Sequence, residues 1–167
     1  MTPVEIALKY VGEKELPNNF FDPASDFGKK MKAVGHKDGD AWCALFCELV
    51  FKEAYPKKFA ELDKLFSASA VQTYKNFTHK EKGLGYMENN LPKEGNLVIW
   101  QLQREGKPQW QGHAGIVYQV KSSWEFTSIE GNTNEAGGRE GVAVAIKERK
   151  VLKDVWNGLK VLGFIQI

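Results

Sequence analysis

Cys43, His113 and Glu130 occur in that order along a chain of 167 residues, and together they form a set able to perform acyl chemistry. A thiolate is a strong nucleophile, an imidazole can take the thiol proton and later return it to a leaving amine, and a third polar group can fix the ring's tautomer. Each member alone has a plainer reading. A lone cysteine is commonly a packed small hydrophobe, a histidine near a strand start is often structural, and Glu130 could be a surface charge at a strand end. The ordered combination is far more specific than any one of them.

The local sequence places all three. Trp42, Leu45, Phe46, Leu49 and Val50 recur at helical spacing and predict a helix from about Ala41 to Ala54. Asp40 stands where it can cap that helix, which puts Cys43 at the third position of the first turn. Backbone N–H groups and the macrodipole at a helix amino terminus favour an anion, so a thiol there ionises more easily. His113 opens a predicted strand, sharing one face with Gly115, Val117 and Gln119 while Ala114, Ile116 and Tyr118 take the other. Gly115 leaves space beside the imidazole. A two-residue turn at Lys121–Ser122 would set His113 directly opposite Glu130, with Cβ atoms about 4.5–5.5 Å apart. Lys-Ser is not the Asn-Gly type that favours so tight a turn, and a slip of one residue would send the pair to opposite faces.

The remaining elements follow from the same rules. Thr2, Pro3 and Glu5 start a helix that Gly12 stops, with Val4, Leu8 and Val11 as its buried stripe. Residues 13–40 carry Pro17, Asn18, Asn19, Pro23 and Gly39 and read as a long ordered loop with one helical turn. Lys57–Phe66 and Ser69–Phe77 show helical patterns. After Pro92 the pattern changes to strands at Asn96–Leu102, His113–Val120, Ser123–Glu130, Gly141–Glu148 and Leu159–Ile165. Helices first and strands second predict an α+β fold. Without repeats, low-complexity tracts or a linker, one domain over residues 1–167 is the expectation.

Composition excludes several classes. Charged residues make up 26%, hydrophobic residues 43% and aromatics 12%, values of an ordinary globular chain. The net charge is +2, and the cations are almost all lysine, with Arg104, Arg139 and Arg149 the exceptions. Recognition of phosphates and bases leans on arginine's planar fork, so nucleic acid is not an expected partner. No run approaches the roughly 18 apolar residues of a membrane span, and no basic segment followed by an apolar one opens the chain. Synthesis in the cytoplasm without a signal peptide is therefore expected, and no membrane partner.

Cys43 and Cys47, four apart on a helix, would have Cβ atoms about 5–6 Å apart where a disulfide needs about 3.5–4.5 Å, so both are read as reduced and Cys47 as a core thiol. Zinc held by Cys43, Cys47 and two of His36, His79 and His113 has the composition but no ligand spacing, and thiolates bound to zinc could not attack a carbonyl. No metal or cofactor is expected. The signatures Gly-x-Ser-x-Gly, His-Glu-x-x-His and Gly-x-x-x-x-Gly-Lys-Ser/Thr do not occur.

The blocks Asp40-Ala41-Trp42-Cys43-Ala44-Leu45-Phe46, Gly95-Asn96-Leu97-Val98-Ile99-Trp100, Gly112-His113-Ala114-Gly115-Ile116-Val117 and Glu130-Gly131-Asn132-Thr133 resemble the CHAP family of cysteine, histidine-dependent amidohydrolases and peptidases. Within it, the likeness is to single-domain forms of phage and prophage lysins, in the papain-like NlpC/P60 superfamily. The resemblance implies a papain-like α+β fold with the cysteine on a central helix packed against an antiparallel sheet. It further implies Cys43 as nucleophile, His113 as general base and then acid, Glu130 as the group that orients His113, and Asn132 as a hydrogen-bonding support. The implied substrate is bacterial peptidoglycan, cut either between the lactyl group and L-alanine or within the stem or cross-bridge peptide. Asn96 stands where the family usually has aspartate, and an attached wall-binding module is not expected. Asp22 and Asp26 resemble calcium positions of some members, but the EF-hand arrangement around a glycine is missing.

Five tryptophans are many for this length, and aromatic faces can stack on sugar rings. Trp42, Trp100, Trp124 and Trp156 are expected mainly in the core, although Trp42 and Asp40 stand so close to Cys43 that both are expected to meet substrate as well. Trp110 lies in Gln103–Gly112, which reads as a polar loop running into His113, and is expected exposed at the groove's rim. The glycine-marked stretch from Asn132 to Glu140 is expected to connect two strands and flank the site. The expected activity is amide hydrolysis through a thioester acyl-enzyme, with a transglutaminase-like acyl transferase and a non-catalytic wall-binding module as the alternatives. A monomer acting on the wall after lysis or delivery completes the expectation.

Overall fold

The computed structural model describes residues 1–80, 86–133, 141–151 and 158–167. Helix α1 (Pro3–Leu8) begins with the predicted capping box, in which the Thr2 hydroxyl accepts from the Glu5 N–H at 3.2 Å and the Glu5 carboxylate accepts from the Thr2 N–H at 2.8 Å. It ends at Leu8, short of the predicted stop, and Leu8 and Val11 are exposed while Val4, Ile6 and Ala7 are buried. The chain leaves the helix there to pair with a sheet edge, where the N–H groups of Gly12 and Glu15 donate to the carbonyls of Val144 and Val142. Residues 26–33, expected to belong to a loop, form helix α2 (Asp26–Ala33). The Ser25 hydroxyl caps it at the Gly28 N–H, and Phe27 and Met31, four apart, bury one face.

Helix α3 (Cys43–Ala54) is the predicted central helix, buried from Cys43 to Phe51. Asp40 does not cap it: the N-cap position is taken by Trp42, without a side-chain hydrogen bond. Helix α4 (Phe59–Leu62) is a single turn where a longer helix was expected, and α5 (Ala70–Thr78) is capped by the Ser69 hydroxyl.

Among the described residues six strands follow: β1 (Met87–Asn89), β2 (Leu97–Arg104), β3 (Lys107–Val120), β4 (Glu125–Thr133), β5 (Ala143–Lys150) and β6 (Leu159–Gln166). They form one antiparallel sheet in the order β1-β6-β2-β3-β4-β5. The α+β expectation therefore holds. Strands β1 and β3 differ from their sequence reading. The exposed three-residue strand β1 was not predicted. Strand β3 starts at Lys107, not His113, because Glu105 and Gly106 are both left-handed (φ 50° and 72°) and turn Arg104 back onto Lys107. The stretch read as a polar loop is thus a hairpin, and it carries Trp110 on a strand.

Leu97, Ile99, Ala114, Ile116 and Ile129 join Phe46, Cys47 and Val50 of α3 in the main core. Val98, Trp100, Val117, Phe126, Leu159 and Phe164 form a second apolar cluster. Burying side chains of this size stabilises by about 1.5–3 kcal/mol each, so α3 is anchored firmly enough to hold its amino terminus in place.

Candidate active site

Cys43 is the first residue of α3 and is buried, so its thiol lies at the end of the helix where backbone N–H groups point. The turn before it is tied from two sides. His36 Nε2–H donates to the Asp40 carbonyl at 3.2 Å, and the Trp42 N–H donates to Asn132 Oδ1 at 3.3 Å. Strand β4 can come this near to α3 because position 131 is glycine: a Cβ there would stand 2.6 Å from the Trp42 ring and 2.7 Å from Phe46 Cβ.

His113 on β3 and Glu130 on β4 are both fully buried and hydrogen-bonded, Nε2 to Oε2, at 2.8 Å. They meet by a different register from the one expected. The connection between β3 and β4 spans Lys121–Trp124 instead of two residues, and Ile116 pairs with Ile129 and Val117 with Ser128. Up to Val117 the strands are thereby shifted by two residues, which keeps His113 and Glu130 on one face, and a bulge between Val117 and Gln119 changes the register only beyond it. Glu130 now lies beside Gly115 and reaches His113 diagonally. A Cβ at Gly115 would stand 2.8 Å from Glu130 Cγ, so the space that glycine leaves is the space the carboxylate arm crosses.

A fourth residue completes this cluster. Arg149 on β5, almost fully buried, donates its Nε–H to Glu130 Oε1 at 2.6 Å and an Nη–H to Oε2, while the Ser128 hydroxyl donates to Oε1. Its guanidinium carbon lies 5.0 Å from the centroid of the Trp100 ring. Sequence reasoning missed this role, because Arg149 sits in the charged run Lys147-Glu148-Arg149-Lys150 on a different strand from Glu130. The available signal was residue type: in a chain whose cations are nearly all lysine, an arginine marks a place that needs a planar two-pronged donor.

Charge and burial compete at each group. Burial pushes the Cys43 thiol up, but the charge of the neighbouring His113 first, and then the backbone N–H groups of Ala114 and Ala44, together bring it below its ordinary value. Burial would lower His113, yet the neighbouring Cys43 thiolate first and the Glu130 carboxylate second raise it to about 9. Burial would raise Glu130, but Arg149 first and His113 second hold it down at about 2. The arrangement favours a thiolate beside an imidazolium. A carboxylate only accepts, so the Glu130 bond keeps a proton on Nε2 and leaves Nδ1 to exchange one with Cys43. Cys47 is fully buried, and burial together with Cys43 pushes its thiol well up, as suits a core residue.

Asn132 does not bond His113. Its Oδ1 accepts from Trp42, and its Nδ2 donates to Asn19 Oδ1 at 3.1 Å and to the Gly141 carbonyl at 2.6 Å. With a left-handed backbone (φ 52°), which asparagine tolerates, it fastens β4 to the start of α3 and to the preceding loop.

The Cys43 thiol faces a cavity of about 370 Å³ lined by Asp40, Ala41, Ser67, Ser69, Trp110 and Gln111. Asp40 is exposed there, and Trp110 is 74% exposed, as expected of a rim residue. Trp42 corrects its expectation as a substrate contact. It is wholly buried against Phe21, Phe27 and Phe46, its indole N–H donates to the Glu15 carboxylate, and it offers a substrate no surface. Trp100 is a core residue, Trp124 is exposed on the β3–β4 connection against expectation, and Trp156 and most of the Asn132–Glu140 stretch lie outside the described residues. Among the described residues, no three His, Cys, Asp or Glu side chains come together as a metal site. No helix among them is long and apolar enough to cross a membrane.

A search of curated proteins and one of solved structures each returned no significant match. The family model of the CHAP domain matches residues 35–132, a span that runs from the turn before α3 to the end of β4 and contains Cys43, His113, Glu130 and Asn132. The CHAP domain points to amidase or peptidase hydrolysis of peptidoglycan and to action at the cell wall. With more than half of its length matched, this chain belongs to the CHAP domain family.

Proposed function

We propose that the protein is a cysteine hydrolase that cleaves an amide bond of bacterial peptidoglycan through a thioester acyl-enzyme. The observation that carries this reading is the meeting of Cys43, at the amino terminus of α3, with an imidazole whose far nitrogen is held by a buried carboxylate. The Cys43 thiolate attacks the amide carbon, and the carbonyl electrons move to oxygen, where the Cys43 backbone N–H donates. His113 gives its proton to the nitrogen as the C–N bond breaks, which releases the amine and leaves the thioester. Water, deprotonated by His113, then attacks the thioester, freeing the carboxylic acid and restoring the thiolate. Glu130 stays ionised throughout and holds the ring, and Asn132 holds the turn that leads into the nucleophile's helix. The bond is the one between the lactyl group and L-alanine, or one within the stem or cross-bridge peptide.

The test is mass spectrometry of purified peptidoglycan of both common cross-link chemistries, incubated with wild type and with Cys43→Ala. Release of fragments by wild type alone is the expected result, and the new ends identify the bond. Release from neither wall by wild type would remove the hydrolase reading and leave acyl transfer or wall binding in its place.

A further inference from the structure

The groove at Cys43 does not end at Trp110. A second hollow of about 550 Å³ lies beyond it and shares Ser67, Ser69 and the Trp110 side chain with the first. Trp110, which is exposed, thus lines both compartments together with the two serines, and a chain seated over Cys43 that continues in this direction passes beside them. The compartments differ in charge. Among the described residues, apart from Cys43 itself, Asp40 is the one formally charged residue lining the first, and Lys75 of α5 is the one lining the second, whose other polar walls include Gln72, Gln101 and Gln109. Lys75 is exposed and makes no ion pair with any described residue, so its charge is available. Each glutamine amide spends one N–H within the protein, Gln72 Nε2 on Asn76, Gln101 Nε2 on the Gln109 carbonyl and Gln109 Nε2 on the Lys107 carbonyl, and, being neutral with donor and acceptor both, serves a carboxylate and a carboxamide alike. Lys75 is therefore the feature of this hollow that distinguishes an anion from a neutral group.

We propose that the hollow beyond Trp110 is a carboxylate subsite, in which Lys75 receives a free acid group of a stem peptide whose scissile carbonyl lies over Cys43. This rests on the peptidoglycan reading above and adds to it a selectivity: a stem whose acid is left free is bound more tightly than the same stem with that acid amidated. An anion on the Asp40 side would meet a like charge, so the two ends of the groove together orient the substrate.

Two synthetic muropeptides, identical except that the acidic residue of the stem carries either a free carboxylate or a carboxamide, are titrated calorimetrically into the Cys43→Ala protein at low ionic strength. The expected result is about fivefold tighter binding of the carboxylate form, of the size an exposed ion pair supplies, shrinking in 0.5 M salt. Adding Lys75→Gln should bring the ratio to about one while leaving the carboxamide affinity unchanged. Trp110→Ala should weaken both peptides and keep the ratio. Equal binding of the two forms, a preference that survives Lys75→Gln, or no binding of either form overturns the subsite. Digestion of whole peptidoglycan by wild type, measured alongside, shows in those cases that the hydrolase reading stands without it.

Discussion

Arg149 and His113 share the carboxylate of Glu130: Oε2 receives both the His113 Nε2–H and an Arg149 Nη–H, and Oε1 receives the Arg149 Nε–H. With the pair at Cys43 ionised, four groups alternate in sign from thiolate to imidazolium to carboxylate to guanidinium. Each buried charge lies beside one of opposite sign, and this is what makes their burial tolerable.

Removing the last member should therefore expose the cost of the others. Arg149→Met is expected to lower the unfolding free energy at pH 7 by about 3–5 kcal/mol, because it strands a buried carboxylate. Arg149→Met combined with Glu130→Gln should cost much less than the sum of the two single changes. Urea unfolding of the four proteins measures the coupling, and strict additivity would show that the fork carries no energy.

The thiolate–imidazolium pair sets the pH behaviour. With Cys43 lowered and His113 raised to about 9, the ion pair exists between those limits. The kcat/KM profile should be a plateau with its acid limb set by Cys43 and its alkaline limb near pH 9 set by His113. Iodoacetamide should label Cys43 well below pH 8, while Cys47, raised by burial, stays unlabelled in the native protein. Equal slow labelling of both thiols would remove the activated-nucleophile reading.

Gly115 is predicted to matter through the carboxylate alone. Gly115→Ala puts a methyl 2.8 Å from Glu130 Cγ and forces the arm away from the imidazole. Activity should fall by roughly 10²-fold, the size expected of a displacement of about 1 Å in a catalytic group. The alkaline limb should move down toward the ordinary imidazole value, as His113 loses the bond that helps to raise it. A fall in activity with an unmoved alkaline limb would mean that Gly115 serves packing only.

Much of this site was legible in the sequence. The apolar repeat from Trp42 to Val50 located α3, and with it the helix-end position of Cys43, although Asp40 turned out to lie outside the cap. The pairing of His113 with Glu130 was legible in kind and wrong in register, since nothing in Lys-Ser-Ser-Trp announces a four-residue connection, and only the even shift kept the two on one face. Trp42 was read both as a stripe residue of α3 and as a substrate contact, and packing decided for the first. Helix α2 was hidden by the prolines, asparagines and glycines around it, and its apolar pair Phe27 and Met31 makes sense only against α3. Arg149 could not be placed because its partner comes from a neighbouring strand, and long-range pairing leaves no local periodicity to read.

Stability should have its own pH dependence, separate from catalysis. Glu48 on α3 is buried, and burial together with the charge and hydrogen bonding of Asp63 raises it to about 8. The folded state thus binds this proton more tightly than the unfolded chain, whose carboxyl titrates near 4.5. The contribution is fully present below that unfolded value and is lost progressively as pH rises, until it levels off above about 8. Glu130 runs the other way: held at about 2, it stabilises above the unfolded carboxylate value and loses that contribution as pH falls toward 2. Glu48→Gln keeps the buried hydrogen-bonding shape without the charge. It should match wild type near pH 5 and exceed it at pH 9 by on the order of 2 kcal/mol, measured as the difference in urea-unfolding free energy. A gap between the two proteins that does not widen from pH 5 to pH 9 would mean that Glu48 titrates like a surface carboxylate, with its proton gone well below neutrality.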